Sequence, residues 1–179
     1  MRAEATKIAG VLLIEPEPID DERGFFARTW DRAALEGLGA TVAISQTSVA
    51  FNRRRGTLRG MHLQVAPDEE AKTIRCTAGA IFDVAVDLRP GSVTFRRWIG
   101  VELTAANRRS LFVPEGCAHG YVSLVDATEV AYQISVPHIP ASARGYRWDD
   151  PAFGIEWPIP IERVSSRDAG WLPFDEGLS

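Results

Sequence analysis

The residues that decide the fold run from Thr73 to Leu88: Thr73-Ile-Arg-Cys-Thr77, then Ala78-Gly79, then Ala80-Ile-Phe-Asp-Val-Ala-Val-Asp-Leu88. Both outer runs are rich in apolar and β-branched residues, and a glycine between such runs is typical of a turn. In the second run, alternation predicts one apolar face and one face that carries Asp83 and Asp87. The apolar face comprises Phe82, Val84, Val86 and Leu88. The stretch therefore predicts two strands joined by a turn.

Similar short runs occur on both sides of this stretch, separated by Pro, Gly, Asn or Asp. They comprise residues 10–15, 43–50, 97–103, 109–113, 120–124 and 129–136. This spacing is typical of an all-β sandwich or barrel. Helical patterns are few: residues 31–39 begin at a candidate N-cap, Asp31, and residues 67–71 are expected to form one helical turn.

The length and composition favour one domain that spans residues 1–179. At 179 residues, with 45% hydrophobic and 25% charged residues, the chain resembles an ordinary globular domain and neither a disordered nor a fibrous one. We expect the barrel core at about residues 40–136. The prolines that follow predict an irregular C-terminal region, residues 137–179, wrapped around the core.

The charge balance argues against a protein that binds a nucleic-acid backbone. The formal net charge is −4, and Arg53-Arg54-Arg55 is too short a basic run to change that, so we interpret it as a solvated loop. No apolar run is long enough to span a membrane, and the N-terminus does not resemble a secretory signal, so we expect a cytoplasmic protein. Cys76 and Cys117 are interpreted as buried thiols without a function.

Two histidines lie in dense polar settings. His119 ends the pattern P-x-G-x-x-H that begins at Pro114, which resembles the second motif of the cupins, small jelly-roll β-barrels. His62 lies where cupins usually place H-x-H, but the partner position is Gln64 and no Glu follows at ligand spacing. The metal-ligand set is therefore incomplete, and we predict no metal. A histidine that binds no metal can act as a base, because imidazole titrates near neutral pH.

Ordered blocks along nearly the whole chain resemble the dTDP-4-dehydrorhamnose 3,5-epimerase family. The blocks are Asp21-Glu-Arg-Gly-Phe-Phe26, Leu58-Arg-Gly-Met-His-Leu-Gln64, Lys72-Thr-Ile-Arg-Cys76, Phe82-Asp-Val-Ala-Val-Asp-Leu-Arg89, 114–120, Trp148-Asp-Asp-Pro151 and Ile155-Glu-Trp-Pro158. The resemblance implies a cupin jelly-roll barrel. It also implies an epimerase without a cofactor, which inverts C3 and C5 of a nucleotide-linked 4-keto-6-deoxyhexose.

Epimerisation next to a ketone needs a base on one face, stabilisation of the C4 oxyanion and an acid on the opposite face. By the resemblance, His62 matches the base and Asp168 the carboxylate that orients it. Tyr132 matches the general acid, and Lys72 is expected beside the oxyanion. Without the family, Lys72 and Asp168 could equally be surface charges and Tyr132 a packing residue; their joint presence favours the catalytic interpretation.

The resemblance also places substrate contacts and reveals departures. Arg23, Arg59 and His119 match positions that contact the diphosphate or sugar, and Gln46 matches a further ligand contact. Four positions differ from the expected pattern: Arg28 replaces a Glu, Ser48 an Asn, Pro137 an aromatic residue and Ala143 a Glu. Such changes alter which polar groups of a ligand find partners. We therefore expect dTDP as the first choice of nucleotide and leave another nucleoside diphosphate open.

Three alternatives remain open at this point. The chain could epimerise one carbon only, run the same enolate chemistry as a ketoisomerase, or bind a sugar nucleotide without catalysis. The family pairs its barrels into dimers, so the resemblance implies a homodimer in which Arg23 serves the partner's site. An edge strand around residues 11–14 offers a route to such pairing, although the same strand could instead close its own sheet.

Overall fold

Within residues 1–174, the part of the chain that the computed structural model describes, there are 13 β-strands and two short helices. The strands are β1 (Arg2–Ala5), β2 (Leu12–Glu15), β3 (Ile19–Asp21), β4 (Gly24–Phe26), β5 (Gln46–Asn52), β6 (Leu58–Gln64), β7 (Lys72–Ala78), β8 (Ala80–Asp87), β9 (Trp98–Thr104), β10 (Ser110–Val113), β11 (Cys117–Ser123), β12 (Thr128–Ile134) and β13 (Ala143–Gly145). The helices are α1 (Arg32–Glu36) and α2 (Ser166–Ala169).

The strands form two antiparallel sheets that pack face to face. One has the order β1-β2-β10-β7-β12-β5 and the other β13-β6-β11-β8-β9, while β3 and β4 make a separate hairpin. The main core cluster lies between the sheets and takes Ile74 and Leu111 from the first and Ile81 and Tyr121 from the second. The predicted all-β jelly-roll barrel with a few short helices is confirmed. The sheets also include β1, β2 and β13, which lie outside residues 40–136. The expectation of an edge strand around residues 11–14 is wrong, because β2 pairs with β1 on one side and β10 on the other.

Both predicted strands of residues 73–88 are present, and the two faces of β8 have different surroundings. Val84 and Val86 pack in a cluster with Phe153, and Trp157 packs against it, so this apolar face is covered by the C-terminal region. Asp83 lies on the opposite face and is fully buried. Because β8 is covered on both sides, the side chains of both its faces need buried partners. The acidic face of β8 thus faces the barrel interior.

One helical prediction is confirmed and one is wrong. Helix α1 begins after Asp31, whose side chain accepts a hydrogen bond from the backbone N–H of Ala34, as an N-cap does. Residues 67–71 form no helix; a hydrogen-bonded turn closes between Val65 and Asp68 instead. Helix α2 was not predicted, because its four residues are too few to show a helical period. No helix of residues 1–174 is long and apolar enough to cross a membrane.

The Asp87 side chain closes the loop between β8 and β9. Its carboxylate accepts hydrogen bonds from Arg89 Nε at 2.8 Å, Ser92 Oγ at 2.5 Å and Thr94 Oγ1 at 2.6 Å. Burial by itself would raise the pKa of Asp87, but these bonds outweigh burial and lower it to about 2. The ionised carboxylate is therefore part of what stabilises the fold.

Asp87→Asn is expected to lower the free energy of unfolding by roughly 2 kcal/mol at pH 7. Because the folded-state pKa lies below the unfolded one, this contribution is complete above about pH 4 and is lost as the pH falls towards 2. Urea denaturation of both proteins between pH 2 and 7 measures it. A difference that stays constant across this range would contradict the assignment.

Candidate active site

A cavity of about 700 Å³ opens into the barrel. Strands β5, β6, β7, β11, β12 and β13, helix α2 and the segment before it contribute its wall. Of the residues predicted from the sequence, those that line it are His62, Asp168, Tyr132, Lys72, Arg59, His119, Gln46 and Ser48. Residues up to 122 positions apart in the chain, Gln46 and Asp168, thus share one cavity.

His62 and Asp168 form a hydrogen-bonded pair. His62 Nε2 lies 2.7 Å from Asp168 Oδ1, and the other carboxylate oxygen lies 3.5 Å from the backbone N of Gly60. Asp168 is buried in α2, whose N-cap Ser165 accepts from the Asp168 N–H, while the His62 side chain is 37% exposed. Burial would raise the pKa of Asp168, but the bond and charge of His62 outweigh it and lower the pKa below its ordinary value. A carboxylate on Nε2 fixes the tautomer that leaves a lone pair on Nδ1.

His119 is held by a second, deeper carboxylate. His119 Nε2 lies 2.7 Å from Asp83 Oδ1, and both side chains are almost fully buried. Asp83 Oδ2 has no hydrogen-bond partner among the described residues, and burial raises the pKa of this carboxyl group. His119 is directly opposite His62 in the β11–β6 ladder. The site therefore contains two histidine–carboxylate pairs side by side.

Close approach of β6 and β11 brings these pairs together. A Cβ on Gly60 would lie 2.5 Å from Gly120 Cα, and Gly60 has a φ of +139°. Only glycine accommodates both the contact and this backbone conformation. The close approach of β6 and β11 beside His62 thus depends on a glycine at position 60.

Lys72 is paired with an acidic residue in the same cavity. Lys72 Nζ lies 2.6 Å from Glu70 Oε1, and both side chains are largely buried. The positive charge of Lys72 counteracts the rise in the pKa of Asp83. The ammonium group therefore lies near the His119–Asp83 pair. A buried ammonium held this way is a fixed positive charge that can stabilise an oxyanion.

Tyr132 packs against His119 in the interior. The two rings meet edge to face at 6.1 Å between centroids, and the Tyr121 ring lies 6.3 Å from the same histidine ring. Burial raises the pKa of Tyr132 well above 10, and the neighbouring Tyr121 and Asp83 add to this. At neutral pH Tyr132 is therefore a neutral phenol that carries a proton.

The cavity is basic although the chain is acidic. Two carboxylates, Glu70 and Asp168, border it among residues 1–174. They face five cationic side chains, which are Arg59, Lys72, Arg144, Arg163 and Arg167. Fixed guanidinium groups bind phosphate oxygens well. The net charge of −4 thus conceals a local anion site.

Two predicted contacts lie away from the cavity of their own chain. Arg23 is in the β3–β4 turn with a side chain that is 84% exposed, and it pairs with Asp21 at 2.5 Å. Arg28 pairs with Asp31, the N-cap of α1, at 2.9 Å. The structure therefore does not bring Arg23 or Arg28 to the site that the other predicted residues share.

Two of the other departures from the family pattern, Ser48 and Ala143, do border the cavity, and the third, Pro137, lies next to the lining residue His138. The His138 backbone N–H donates to Gln46 Oε1 at 3.0 Å, so Gln46 also anchors this segment. The three departures thus lie near the wall formed by the start of β5 and the region before β13.

Sequence reasoning missed several residues of the site. Asp83 was placed on the acidic face of β8, but nothing in the sequence linked it to His119, 36 positions away. Glu70 lies two residues before Lys72, a spacing that could have indicated a shared face. The missed arginines Arg144, Arg163 and Arg167 lie in the irregular C-terminal region. The sequence there has no periodicity from which the direction of a side chain could be predicted.

No group of three or more His, Cys, Asp or Glu side chains in residues 1–174 is arranged to hold a metal ion. Cys76 and Cys117 are both buried free thiols. Burial raises the pKa of Cys76 to about 11 and that of Cys117 to about 12. Both are therefore neutral and unreactive at neutral pH.

The chain is similar to known proteins over almost its whole length. Residues 5–176 match the family model of dTDP-4-dehydrorhamnose 3,5-epimerase. The enzyme of that name from Salmonella typhimurium is 39% identical over 175 residues, which are 97% of this chain and 95% of the relative.

Two solved structures are similar throughout. The dTDP-4-dehydrorhamnose 3,5-epimerase of Bacillus anthracis, with TDP and PPi bound, has a TM-score of 0.91 at 36% identity and covers 97% of this chain and 99% of its own. A 3'-monoepimerase of Streptomyces bikiniensis, in complex with dTDP-quinovose, has a TM-score of 0.83 at 33% identity and covers 94% of this chain and 85% of its own. The chain belongs to the dTDP-4-dehydrorhamnose 3,5-epimerase family.

Proposed function

We propose that the protein inverts C3 and C5 of a nucleotide-linked 4-keto-6-deoxyhexose, converting dTDP-4-dehydro-6-deoxyglucose into dTDP-4-dehydro-L-rhamnose. Family membership supports an epimerase of dTDP sugars. The observation that carries the residue-level proposal is the presence of the His62–Asp168 pair, the neutral Tyr132 phenol and the Lys72 ammonium in one cavity.

His62 acts as the base. It removes the proton from C3 or C5, and the electrons of the C–H bond move towards the C4 carbonyl oxygen to give an enolate. Asp168 holds the ring and stabilises the imidazolium that forms. Lys72 stabilises the negative charge that develops on the C4 oxygen, with Glu70 keeping the ammonium in place.

Tyr132 acts as the acid on the opposite face. It gives its proton to the carbon that His62 deprotonated, and the enolate electrons return to form the new C–H bond with inverted configuration. The high pKa of Tyr132 keeps its proton available until the enolate forms. No cofactor or metal takes part in this scheme.

Arg59, His119 and Gln46 bind the diphosphate and the sugar. The Arg59 Nε bond to Asn52 Oδ1, at 3.0 Å, orients the guanidinium within the cavity wall. The partner of these residues is thus a nucleoside-diphosphate sugar, bound locally by cations in an acidic protein.

Incubation with dTDP-4-keto-6-deoxyglucose in deuterated water tests the proposal. We expect deuterium at both C3 and C5, because each proton that His62 removes is replaced from solvent. If no deuterium enters either carbon, with dTDP or with other nucleotide carriers, the proposed function is wrong.

A single-carbon epimerase is the second candidate. The similarity to the Streptomyces bikiniensis 3'-monoepimerase favours keeping it, since the two folds correspond over 94% of this chain. The same deuterium experiment separates the two candidates. Deuterium confined to one carbon after complete conversion indicates the single-carbon reaction.

The nucleotide is tested by thermal shift. Ser48, Ala143 and Pro137 replace an amide, a carboxylate and an aromatic ring of the family pattern, so the groups offered to the nucleotide differ and a base other than thymine is an alternative to dTDP. A ligand present at 100 times its Kd adds about 2.7 kcal/mol to stability. We expect the largest rise in Tm with dTDP in a panel of dTDP, UDP, CDP, GDP and ADP. A larger rise with another member would assign that carrier.

The active unit is proposed to be a homodimer in the cytoplasm. The β3–β4 hairpin exposes Ile19 at 71% and Phe26 at 72%, and the edge strand β5 exposes Val49 at 64%. Apolar surface of this kind is typical of an interface. A second copy of the chain is the occupant that also explains Arg23, which matches a diphosphate contact but lies far from its own cavity. Sedimentation is expected to give a dimer, and a monomer at micromolar concentration would contradict this.

A further inference from the structure

Tyr121 is a buried phenol that the reaction scheme above does not use. Its side chain is fully buried in the main core cluster, next to Tyr132. A phenol in an apolar core needs a hydrogen-bond partner for its hydroxyl group. Asn52 is that partner, and the general acid Tyr132 packs against the same cluster.

The first neighbour is Asn52. Asn52 Nδ2 lies 3.0 Å and Oδ1 lies 3.2 Å from the Tyr121 hydroxyl oxygen, so the amide can either donate to this hydroxyl or accept from it. Asn52 is itself buried and fixed, because Nδ2 also donates to Thr128 O at 3.2 Å and Oδ1 accepts from Arg59 Nε at 3.0 Å. The amide is therefore held between Tyr121 and Arg59.

The second neighbour is Tyr132. Both rings lie beside His119, with centroid distances of 6.3 Å for Tyr121 and 6.1 Å for Tyr132, and Tyr121 contributes to the raised pKa of Tyr132. Arg59, Asn52 and Tyr121 thus form a hydrogen-bonded side-chain network across β6, β5 and β11, and Tyr132 on β12 is its neighbour. A hydroxyl has one donor hydrogen and two acceptor lone pairs, so Tyr121 can accept from Tyr132 and can reverse to donate to it.

This reversal matters because proton donation leaves Tyr132 as a phenolate. When the Tyr132 O–H bond breaks, the proton goes to the substrate carbon and the electron pair stays on the phenolate oxygen, inside the protein. An unpaired buried charge is costly, whereas a hydrogen bond to an ion is stronger than one between neutral groups. We propose that Tyr121 is a positioning residue that accepts from the Tyr132 hydroxyl at rest and donates to its phenolate after proton transfer, with Asn52 satisfying the Tyr121 hydroxyl in both states.

The inference rests on the proposed function, and Tyr121→Phe tests it by removing one hydroxyl and keeping the ring. We expect kcat for the inverted product to fall about tenfold, the loss that follows from one hydrogen bond to a charged group, with KM within twofold of wild type. Deuterium uptake through His62 is expected to continue near the wild-type rate, so exchange outruns inversion. A residue that only supports the fold would lower both rates together.

The matched control is Tyr146→Phe. The chain has three tyrosines, and Tyr146 lies in the cluster under the C-terminal region and not among the residues that line the cavity. We expect this variant to keep wild-type exchange and inversion. If neither the wild type nor Tyr146→Phe converts the keto sugar on any nucleotide carrier, the proposed function is wrong, and the role of Tyr121 with it.

A double-mutant cycle tests whether Tyr121 acts through Tyr132. In the Tyr132→Phe background, Tyr121→Phe is expected to change the residual rate less than twofold, because the group it serves is gone. Two outcomes would overturn the inference and leave the proposed function intact, provided that the wild type is active. One is a tenfold loss that persists in the Tyr132→Phe background, and the other is no loss from Tyr121→Phe alone. Melting curves of all variants show whether each is folded at the assay temperature.

Discussion

Replacement of His62 by alanine is expected to abolish solvent exchange and to lower kcat by about 10³-fold, within the range that general acid–base groups contribute. His62 is the partly exposed member of the pair with Asp168. Among the described residues, it is the one histidine of the cavity whose carboxylate partner also lines the cavity, and the substitution removes it. Deuterium uptake at C3 and C5, followed by mass spectrometry, measures the loss.

Binding separates this effect from misfolding. Because His62 is assigned to proton transfer and not to the diphosphate, the Tm rise with dTDP is expected to stay near the wild-type value. His138→Ala is the matched control: His138 borders the cavity, but its contact with Gln46 is made by the backbone N–H and survives truncation. We expect its kcat to remain within threefold of wild type, as substitutions away from the reacting atoms usually allow. Retained exchange in His62→Ala would show that another group is the base.

Tyr132→Phe is expected to separate the two halves of the reaction. The variant keeps His62, Asp168 and Lys72, so proton removal continues and deuterium enters the substrate from the face of the base. Inversion needs the proton of the opposite face, and we expect the inverted product to form about 10²-fold more slowly.

Nuclear magnetic resonance in deuterated water gives both rates in one experiment, since exchange with retention and exchange with inversion yield different sugars. The Tyr146→Phe variant, with the same loss of a hydroxyl in a region that does not line the cavity, is expected to behave as wild type. Equal losses of exchange and inversion in Tyr132→Phe would assign Tyr132 to binding or to the base side of the reaction.

The two variants together distinguish an enzyme from a binding protein. A sugar-nucleotide-binding protein without catalysis would show no exchange in the wild type, and neither substitution would then change an activity. The expected pattern is full exchange in wild type, none in His62→Ala and exchange without inversion in Tyr132→Phe. The role of His62 is thus tested by the exchange rate, and the role of Tyr132 by the rate of inversion.

The cavity also explains how an acidic protein can bind a nucleoside diphosphate. Arg144, Arg163 and Arg167 come from the region after β12, and they join Arg59 and Lys72 of the barrel strands. Composition counts charges over the whole chain, whereas binding depends on those within a few ångströms of the ligand. The net charge of −4 still argues against a polymer bound along its backbone.

The sequence by itself determined the all-β class, because alternation along β8 and the spacing of turn residues are properties of neighbouring positions. It also led to the family, and with it to His62, Tyr132, Asp168 and Lys72, through motifs that each occupy a short stretch. Nine of the strands or helices predicted from such local signals occur where they were expected, among them β7, β8 and α1.

Only the tertiary structure decided which face of β8 forms the barrel interior. Alternation gives two faces, but the packing of Phe153 and Trp157 on Val84 and its neighbours turns the apolar face outwards under the C-terminal region. Asp83 therefore faces inwards to His119, and Asn52 meets Tyr121, a residue 69 positions away. These partners depend on strand order and register, which hydrogen bonds between distant segments set and which no periodicity of a single strand encodes.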